Sequence, residues 1–359
     1  MTVKKTTCFT IAAAAFFCAA FFIYGRTQAT AQQTCAASEN YRMGTYVRVT
    51  LYGADKEKLD SSLKEADGLL VKLEELFSAN IASSDVGRIN TARGKWTSVD
   101  EKTYSLISRA GKTAKATGGA FNPAIGDVVK LWKIGTPQAR IPEAYEIARA
   151  LRNTDYGKIT LKNDNGKFFV KAPEGMALDL GAIAKGRAAD LLKARLLELN
   201  VQSAIIDLGG NIDLIGKAPK RGLWKIGLQH PDHPRGEYFG VIMTPAASVV
   251  TSGPYERYFE KDGKRYHHIF DPATGHPAIS DFSSVTIIDA DSTKADALCT
   301  ALFVMGRKKA DAFLKKNPEI AAVFLLSGKN EALVTPHAET LFQLTDKNYK
   351  KSIIGGAKQ

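Results

Sequence analysis

A chain of 359 residues with 45% hydrophobic and 24% charged content has the material for a substantial buried core and excludes a disordered or fibrous polymer. The formal charge is +12; three of those charges (Lys4, Lys5, Arg26) lie in an N-terminal leader without acidic residues, which leaves +9 from Gln32 onward. That balance suits an anionic ligand or a membrane surface, whereas the lack of a dense basic run with interleaved aromatics argues against nucleic acid.

In the leader, Lys4 and Lys5 form a positive n-region, Cys8 to Tyr24 is apolar, and Ala29-Thr30-Ala31 offers a small-residue cleavage site. Residues 1–31 read as a signal peptide, and cleavage after Ala31 would export the rest. The alternative is an uncleaved anchor, since the apolar run is near the lower limit for spanning a bilayer. Residues 32–40 read as an N-terminal tail. Cys35 within it lacks a lipobox, because Gln32-Gln33-Thr34 precedes it. Cys8 and Cys18 belong to the leader, so only Cys35 and Cys299 remain and no disulfide framework is expected.

Gly44 to Tyr52 alternates as a strand (Val47, Val49, Leu51). Leu59, Leu63, Ala66, Leu70, Leu73 and Phe77 then step by four and three, which predicts an amphipathic helix. A second helix is expected from Asp100 to about Thr117, closed by Gly118-Gly119. Lys158–Leu161 and Lys167–Val170 flank Asn163-Asp164-Asn165-Gly166, a hairpin signal. Met176 to Leu180 reads as a short strand ended by Gly181, with a helix starting at once (Ile183, Ala184, Ala188, Leu191, Leu192, Leu199). Further strands are expected at Ser203–Leu208, Trp224–Leu228, Tyr238–Met243 and Ser283–Asp289, and at Ile320–Leu326 and Leu333–Thr335 after a C-terminal helix. The fold class is mixed α/β with several antiparallel strand pairs. Residues 41–350 form one domain, a two-lobed form being left open, and residues 351–359 form a C-terminal tail.

Five segments look like site material. Asp179 and Lys185 flank a glycine turn at a helix start, where unpaired N–H groups attract anions; an ordinary strand-to-helix turn fits the same pattern. In Gly118-Gly-Ala-Phe-Asn-Pro-Ala-Ile-Gly126, backbone amides of Ala120, Phe121 and Asn122 could meet a planar ligand, or the loop could simply cap a helix. Asp207-Leu-Gly-Gly-Asn211 lets backbone approach a ligand, or makes a tight turn. After Thr251-Ser-Gly253, the run Arg265 to Pro277 holds three of the six histidines. His267 and His268 would point to opposite faces, one as a general base and the other solvated; zinc is the rival reading, without familiar ligand spacing.

The fifth segment is a helix with Ser292 as N-cap and Gly306 as its C′ residue. Asp296 and Thr300 are four apart on one face, among small and apolar neighbours. A buried carboxylate is costly unless paired or coordinated. The two oxygens suit Mg²⁺ completed by waters and phosphate, while pairing with a nearby Lys or capping a loop is the plainer alternative. Cys299, on the same helix, reads as a small buried hydrophobe.

Taken together, these segments resemble the ApbE family of FAD:protein FMN transferases. The resemblance runs through Met43-Gly-Thr45, Gly119-Ala-Phe-Asn-Pro123, Asp179-Leu-Gly-Ala-Ile-Ala-Lys-Gly186, Asp207-Leu-Gly-Gly210, Thr251-Ser-Gly253, His268-Ile-Phe-Asp-Pro272, Thr274-Gly275 and Asp296 to Gly306. It implies an ApbE-like fold and Mg²⁺-dependent transfer of FMN from FAD to a Thr or Ser hydroxyl of an acceptor flavoprotein, with AMP released. By the same resemblance, His268 is the catalytic base, and Met43, Asn80, Ala120, Phe121, Asn122, Asp179, Lys185 and Ile269 are flavin-nucleotide contacts. The Ala182 carbonyl, Asp296 and Thr300 are implied as metal ligands. Many relatives carry Tyr where this chain has Asn80; a Tyr ring could stack on the isoalloxazine, whereas Asn80 can hydrogen-bond a ring edge. The acceptor is expected to be a redox flavoprotein with a Ser/Thr-Gly-Ala-Thr/Ser type signal, met in the periplasm or at the outer face of the inner membrane. An FAD pyrophosphatase giving FMN and AMP, and a non-catalytic flavin-binding protein, are the alternatives.

Overall fold

In the computed structural model the described residues are 34–356, apart from Arg221 and Arg235; the leader with its cleavage site, Cys8 and Cys18 lies outside them. The chain opens with strands β1 (Thr34–Arg42) and β2 (Thr45–Gly53), then helices α1 (Lys56–Phe77) and α2 (Asp85–Thr91). Next come β3 (Thr97–Val99), α3 (Glu101–Ala116), α4 (Gly126–Trp132), α5 (Ala144–Leu151) and the hairpin β4 (Thr160–Asp164) and β5 (Lys167–Lys171). Helix α6 (Ala184–Glu198) leads into β6 (Ser203–Asp207), β7 (Asn211–Ile215), β8 (Trp224–Gln229), β9 (Tyr238–Thr244) and β10 (Ser248–Ser252). A ribbon of β11 (Tyr258–Lys261) and β12 (Lys264–His267) precedes β13 (Phe282–Asp289) and α7 (Ser292–Lys316). The chain closes with β14 (Ala321–Leu326), β15 (Glu331–Val334), β16 (Phe342–Leu344) and β17 (Lys350–Ile353).

A nine-stranded sheet in the order β1-β2-β6-β7-β10-β13-β14-β15-β17 forms the backbone of the fold, antiparallel throughout except for the parallel pair β15–β17. Long helices cover one face. Val47, Val49 and Leu51 of β2 and Ala204 and Ile206 of β6 pack with the apolar stripes of α1, α3 and α6. Val285 and Ile287 of β13 and Ala322 and Phe324 of β14 pack with α7. The three-stranded sheet β16-β9-β8 covers the other face, meeting Val323 and Leu325 of β14. This explains why Ala321–Leu326 reads as an unbroken apolar run: a strand buried on both faces needs no alternation.

The mixed α/β reading with antiparallel pairs holds. Both expected tails give way to strands. Residues 34–42 pair along their whole length with β2, and Lys350–Ile353 pairs with β15. Polar, alternating strands at a sheet edge carry little hydrophobic signal, and their pairing is a long-range fact. The helix holding Asp296 is capped by Asp291, whose side chain accepts from Lys294 N, rather than by Ser292. Gly306 does leave helical geometry (φ 65°), but a second helical stretch follows it directly. Met176–Leu180 is not a strand, and α6 starts at Ala184 rather than at Gly181. Among the described residues no helix is long and apolar enough to cross a membrane.

Candidate active site

Helices α6 and α7 cap each other. Gly186 N–H donates to Asp296 Oδ2 (2.9 Å), while the amides of Ser292 and Thr293 donate to Asp190 (2.9 Å each). Each carboxylate takes up N–H groups that a helix start leaves without partners. The exchange requires close approach at Gly186, where a Cβ would stand 2.3 Å from Ser292 O and 2.8 Å from Asp296 Cβ. Because Gly186 N–H turns to Asp296, it does not close a helical bond to Ala182, and the Ala182 carbonyl stays outside α6.

Asp296 is 2% exposed, and Lys185 Nζ lies 3.6 Å from its Oδ1. Carboxylate and ammonium thus meet at the α6 N-terminus, which follows Ala182 directly, and half-buried Thr300 lies one turn beyond Asp296 on α7. The Lys-pairing alternative thus holds at Asp296, whose other oxygen takes the Gly186 N–H. Among the described residues no group of three or more His, Cys, Asp or Glu is arranged to hold a metal ion. One carboxylate, one hydroxyl and one carbonyl do fit Mg²⁺ of the kind that takes few protein ligands and fills its octahedron with water and substrate phosphate.

The irregular segment before α6 is held by backbone pairing. Asp179 N–H donates to Pro123 O (2.9 Å), and Gly126 N–H to Ala177 O (2.9 Å). Asn90 clamps Leu178 from α2: its Nδ2 donates to Leu178 O (2.9 Å) and its Oδ1 accepts from Leu178 N (2.7 Å). The sequence reading did not single out Asn90; a lone polar residue in a short helix gives no signal until its partner is known. These bonds place the Gly118–Gly126 loop beside Asp179, whose Oδ1 accepts from Gly181 N (2.8 Å) and shapes the turn. Within that loop Asn122 is occupied structurally, donating to Thr154 O and accepting from Ala124 N. The Phe121 ring is 2% exposed in the core and Ile269 is buried as well, so neither side chain is free to stack on a ligand. Ala120 is half-buried against the same core.

The two histidines separate, though not as expected. His267 is buried rather than solvated, with Nε2 against Ala278 O (3.1 Å) and Nδ1 accepting from Ile269 N (3.3 Å). His268 Nδ1 lies 3.1 Å from Arg257 O. A carbonyl only accepts, so Nδ1 carries the proton and Nε2 keeps its lone pair. Burial, helped by the nearby charges of Arg257 and Lys185, lowers the His268 pKa to about 3, so the ring is neutral at physiological pH. Lys185 thus links His268 to Asp296. Cys299 is fully buried on α7 near Ser252, and burial pushes its thiol up to about 12, which fits a packing role.

The remaining turns converge on the same end of the sheet. Met43 has φ 51°, and its amide donates to Glu74 Oε1 (2.8 Å). Gly209, next to it, has φ 68° and leaves no room for a side chain against Thr45. Gly210 O accepts from Thr251 N (3.0 Å), which leads to Ser252 and Cys299. Asn80 is exposed in the loop after α1, its amide on Ser78 Oγ (3.2 Å). Trp132 ties in the α4–α5 excursion, its indole N–H donating to Gly275 O (2.8 Å).

The sequence model of the ApbE family matches residues 43–324. A FAD:protein FMN transferase from Treponema pallidum is 40% identical over 305 residues, covering 80% of this chain and 83% of that protein. One from Klebsiella pneumoniae is 38% identical over 309 residues, covering 86% and 94%. Among solved structures, the ApbE protein from Thermotoga maritima superposes with a TM-score of 0.79 at 33% identity, covering 86% of this chain and 99% of that one. The flavinyl transferase ApbE from Pseudomonas stutzeri, in its apo form, gives 0.74 at 28% identity, covering 86% and 97%.

Proposed function

The chain belongs to the ApbE family, and from that premise we propose that it transfers FMN from FAD to a Thr or Ser hydroxyl of an acceptor flavoprotein. It is a transferase. In the proposed step the acceptor oxygen bonds to the FMN phosphorus, the pyrophosphate P–O bond breaks, and AMP leaves. The acceptor proton goes to His268 Nε2. The observation that carries this reading is the fixed, neutral His268, with its lone pair on Nε2, electrostatically linked through Lys185 to a buried carboxylate.

Asp296, Thr300 and the Ala182 carbonyl would hold Mg²⁺. When bound, the cation offsets charge on the pyrophosphate, the main electrostatic demand of phosphoryl transfer. Lys185 and the α6 N-terminus attract the same anionic diphosphate. Glycine turns at Gly209 and Gly210 let backbone come close to the ligand. Met43, Asn80, Ala120, Phe121, Asn122, Asp179 and Ile269 are proposed to shape the flavin-nucleotide site. For Phe121 and Ile269 the contact would be through backbone. Export of the chain, an acceptor signal of the Ser/Thr-Gly-Ala-Thr/Ser type, and an encounter close to a membrane complete the reading.

The test mixes the protein with FAD, Mg²⁺ and a candidate acceptor. Fluorescent acceptor that survives SDS, with one AMP per flavin attached, is the expected result. Free FMN plus AMP with an unlabelled acceptor would replace transfer by hydrolysis, and unchanged FAD would reduce the protein to a binder.

A further inference from the structure

The strand register puts the N-terminal entry of the fold and a basic loop at one end of the large sheet. Cys35 pairs with Tyr52, and Tyr52 with Ser203. Ser203 Oγ–H then donates to Lys217 O (2.8 Å). Gly216, at φ 62°, presses the loop between β7 and β8 against Gln202. Three strand spacings of about 4.8 Å therefore separate Cys35 from this loop, roughly 15 Å.

Lys217, Lys220, Arg221 and Lys225 follow one another with no acidic residue between Asp213 and Asp232. Lys217, Lys220 and Lys225 are exposed, and none pairs with a carboxylate among the described residues. Leu223 stands among them 42% exposed. Were the leader kept as an anchor, its apolar run, which ends at Tyr24, would lie ten residues before Thr34, a tether of at most about 35 Å.

We infer that this end of the sheet docks on the surface of a bilayer carrying anionic phospholipids, with the loop between β7 and β8 and the adjoining Lys225 of β8 on the headgroups and Leu223 at the acyl boundary. Unpaired cations around a protruding apolar side chain suit a surface that is both charged and greasy, whereas nucleic acid would leave Leu223 without a partner. The Met43-Gly44 turn, Gly209-Gly210 and Thr251-Ser252 lie at the opposite ends of the same strands. The eight residues of β2 from Thr45 to Tyr52, seven rises of about 3.3 Å, set these ends about 23 Å apart. The flavin site would then face away from the bilayer, and the acceptor residue would have to be presented at that height. The docking surface itself does not depend on the proposed flavin chemistry; only the direction in which the flavin site faces rests on that reading.

The test uses the chain beginning at Gln32, which retains every described strand and helix; two solved relatives match 97–99% of their own length to 86% of this chain. Binding to phosphatidylcholine vesicles is compared with binding to vesicles that also contain phosphatidylglycerol, at low and high salt. A variant carrying Lys217→Glu, Lys220→Glu and Lys225→Glu is run beside it. We expect binding to anionic vesicles alone, weakened by salt, and at least about tenfold weaker in the variant. Leu223→Asp should remove the part that survives high salt. Equal binding of both proteins, or equal binding to both vesicle types, would overturn the inference. So would duplex DNA that binds more tightly than the vesicles and displaces them. Flavin turnover measured without vesicles should match between wild type and the triple variant, and a loss there would place the loop at the site and sink the orientation. If neither protein transfers flavin, the vesicle comparison still decides.

Discussion

His268 owes its chemical state to its surroundings. The lowered proton affinity means that acidification from pH 8 to about 5 should leave the fraction of competent base unchanged, so the transfer rate should stay flat through the ordinary histidine range near 6.5. A rate that halves near pH 6.5 would show a solvated ring. The linkage has a definite sign: the folded pKa is depressed, so the group's contribution to stability is whole above about pH 6.5 and is lost as pH falls from there toward 3. Urea midpoints of wild type should therefore fall more steeply on acidification than those of His268→Ala. The same substitution should slow transfer roughly 10²- to 10⁴-fold while FAD affinity, measured by flavin fluorescence, is retained. A variant that lost affinity and kept its rate would remove His268 from the base role.

At the scale of elements, the crossing of α6 and α7 ties site to fold. Asp296 is both a proposed metal ligand and the cap of α6, so Asp296→Ala should cost about 1–2 kcal/mol of stability as well as activity. Asp296→Asn keeps an oxygen for Gly186 N–H and should fold with a smaller loss, yet transfer flavin at least about 10²-fold more slowly. Wild-type turnover of Asp296→Asn at limiting Mg²⁺ would refute the metal assignment. Gly186→Ala drives a methyl into Ser292 O and should destabilise by about 1–3 kcal/mol in denaturant titrations. An unchanged midpoint would mean that the helices part easily and that their mutual capping matters little. The Asn90 clamp works through the same logic one element earlier, fixing the Leu178 backbone that leads to Asp179.

For the molecule as a whole, the edge strand β1 is part of the fold. It covers β2 along nine residues and contributes Ala36 to the core. Removal of residues 34–42 would expose the edge of β2 and should produce soluble aggregates on gel filtration, since an uncovered long strand invites pairing between chains. A monomeric, fully folded truncation would return this segment to the status of a tail.

The pattern of residues by itself determined the long elements and the chemical inventory. Periodicity identified the apolar stripe of α1 from Leu59 to Phe77 and placed α3 within a residue at each end, and Asn165-Gly166 with φ 52° and 83° made the β4–β5 hairpin a local certainty. Asp179, Lys185, His268, Asp296 and the glycine turns were visible because each is an unusual residue type for its place in the chain. What only the tertiary structure decided is how these groups meet. The strand expected at Met176–Leu180 became an irregular segment because Asn90, Pro123 and Gly126 claim its backbone groups from elsewhere in the chain. His267 went into the core and His268 gained its fixed tautomer through Ala278 and Arg257, partners eleven residues away. Hydrogen bonds across such separations pay off only once the sheet and its helices have packed, so no local pattern announces them.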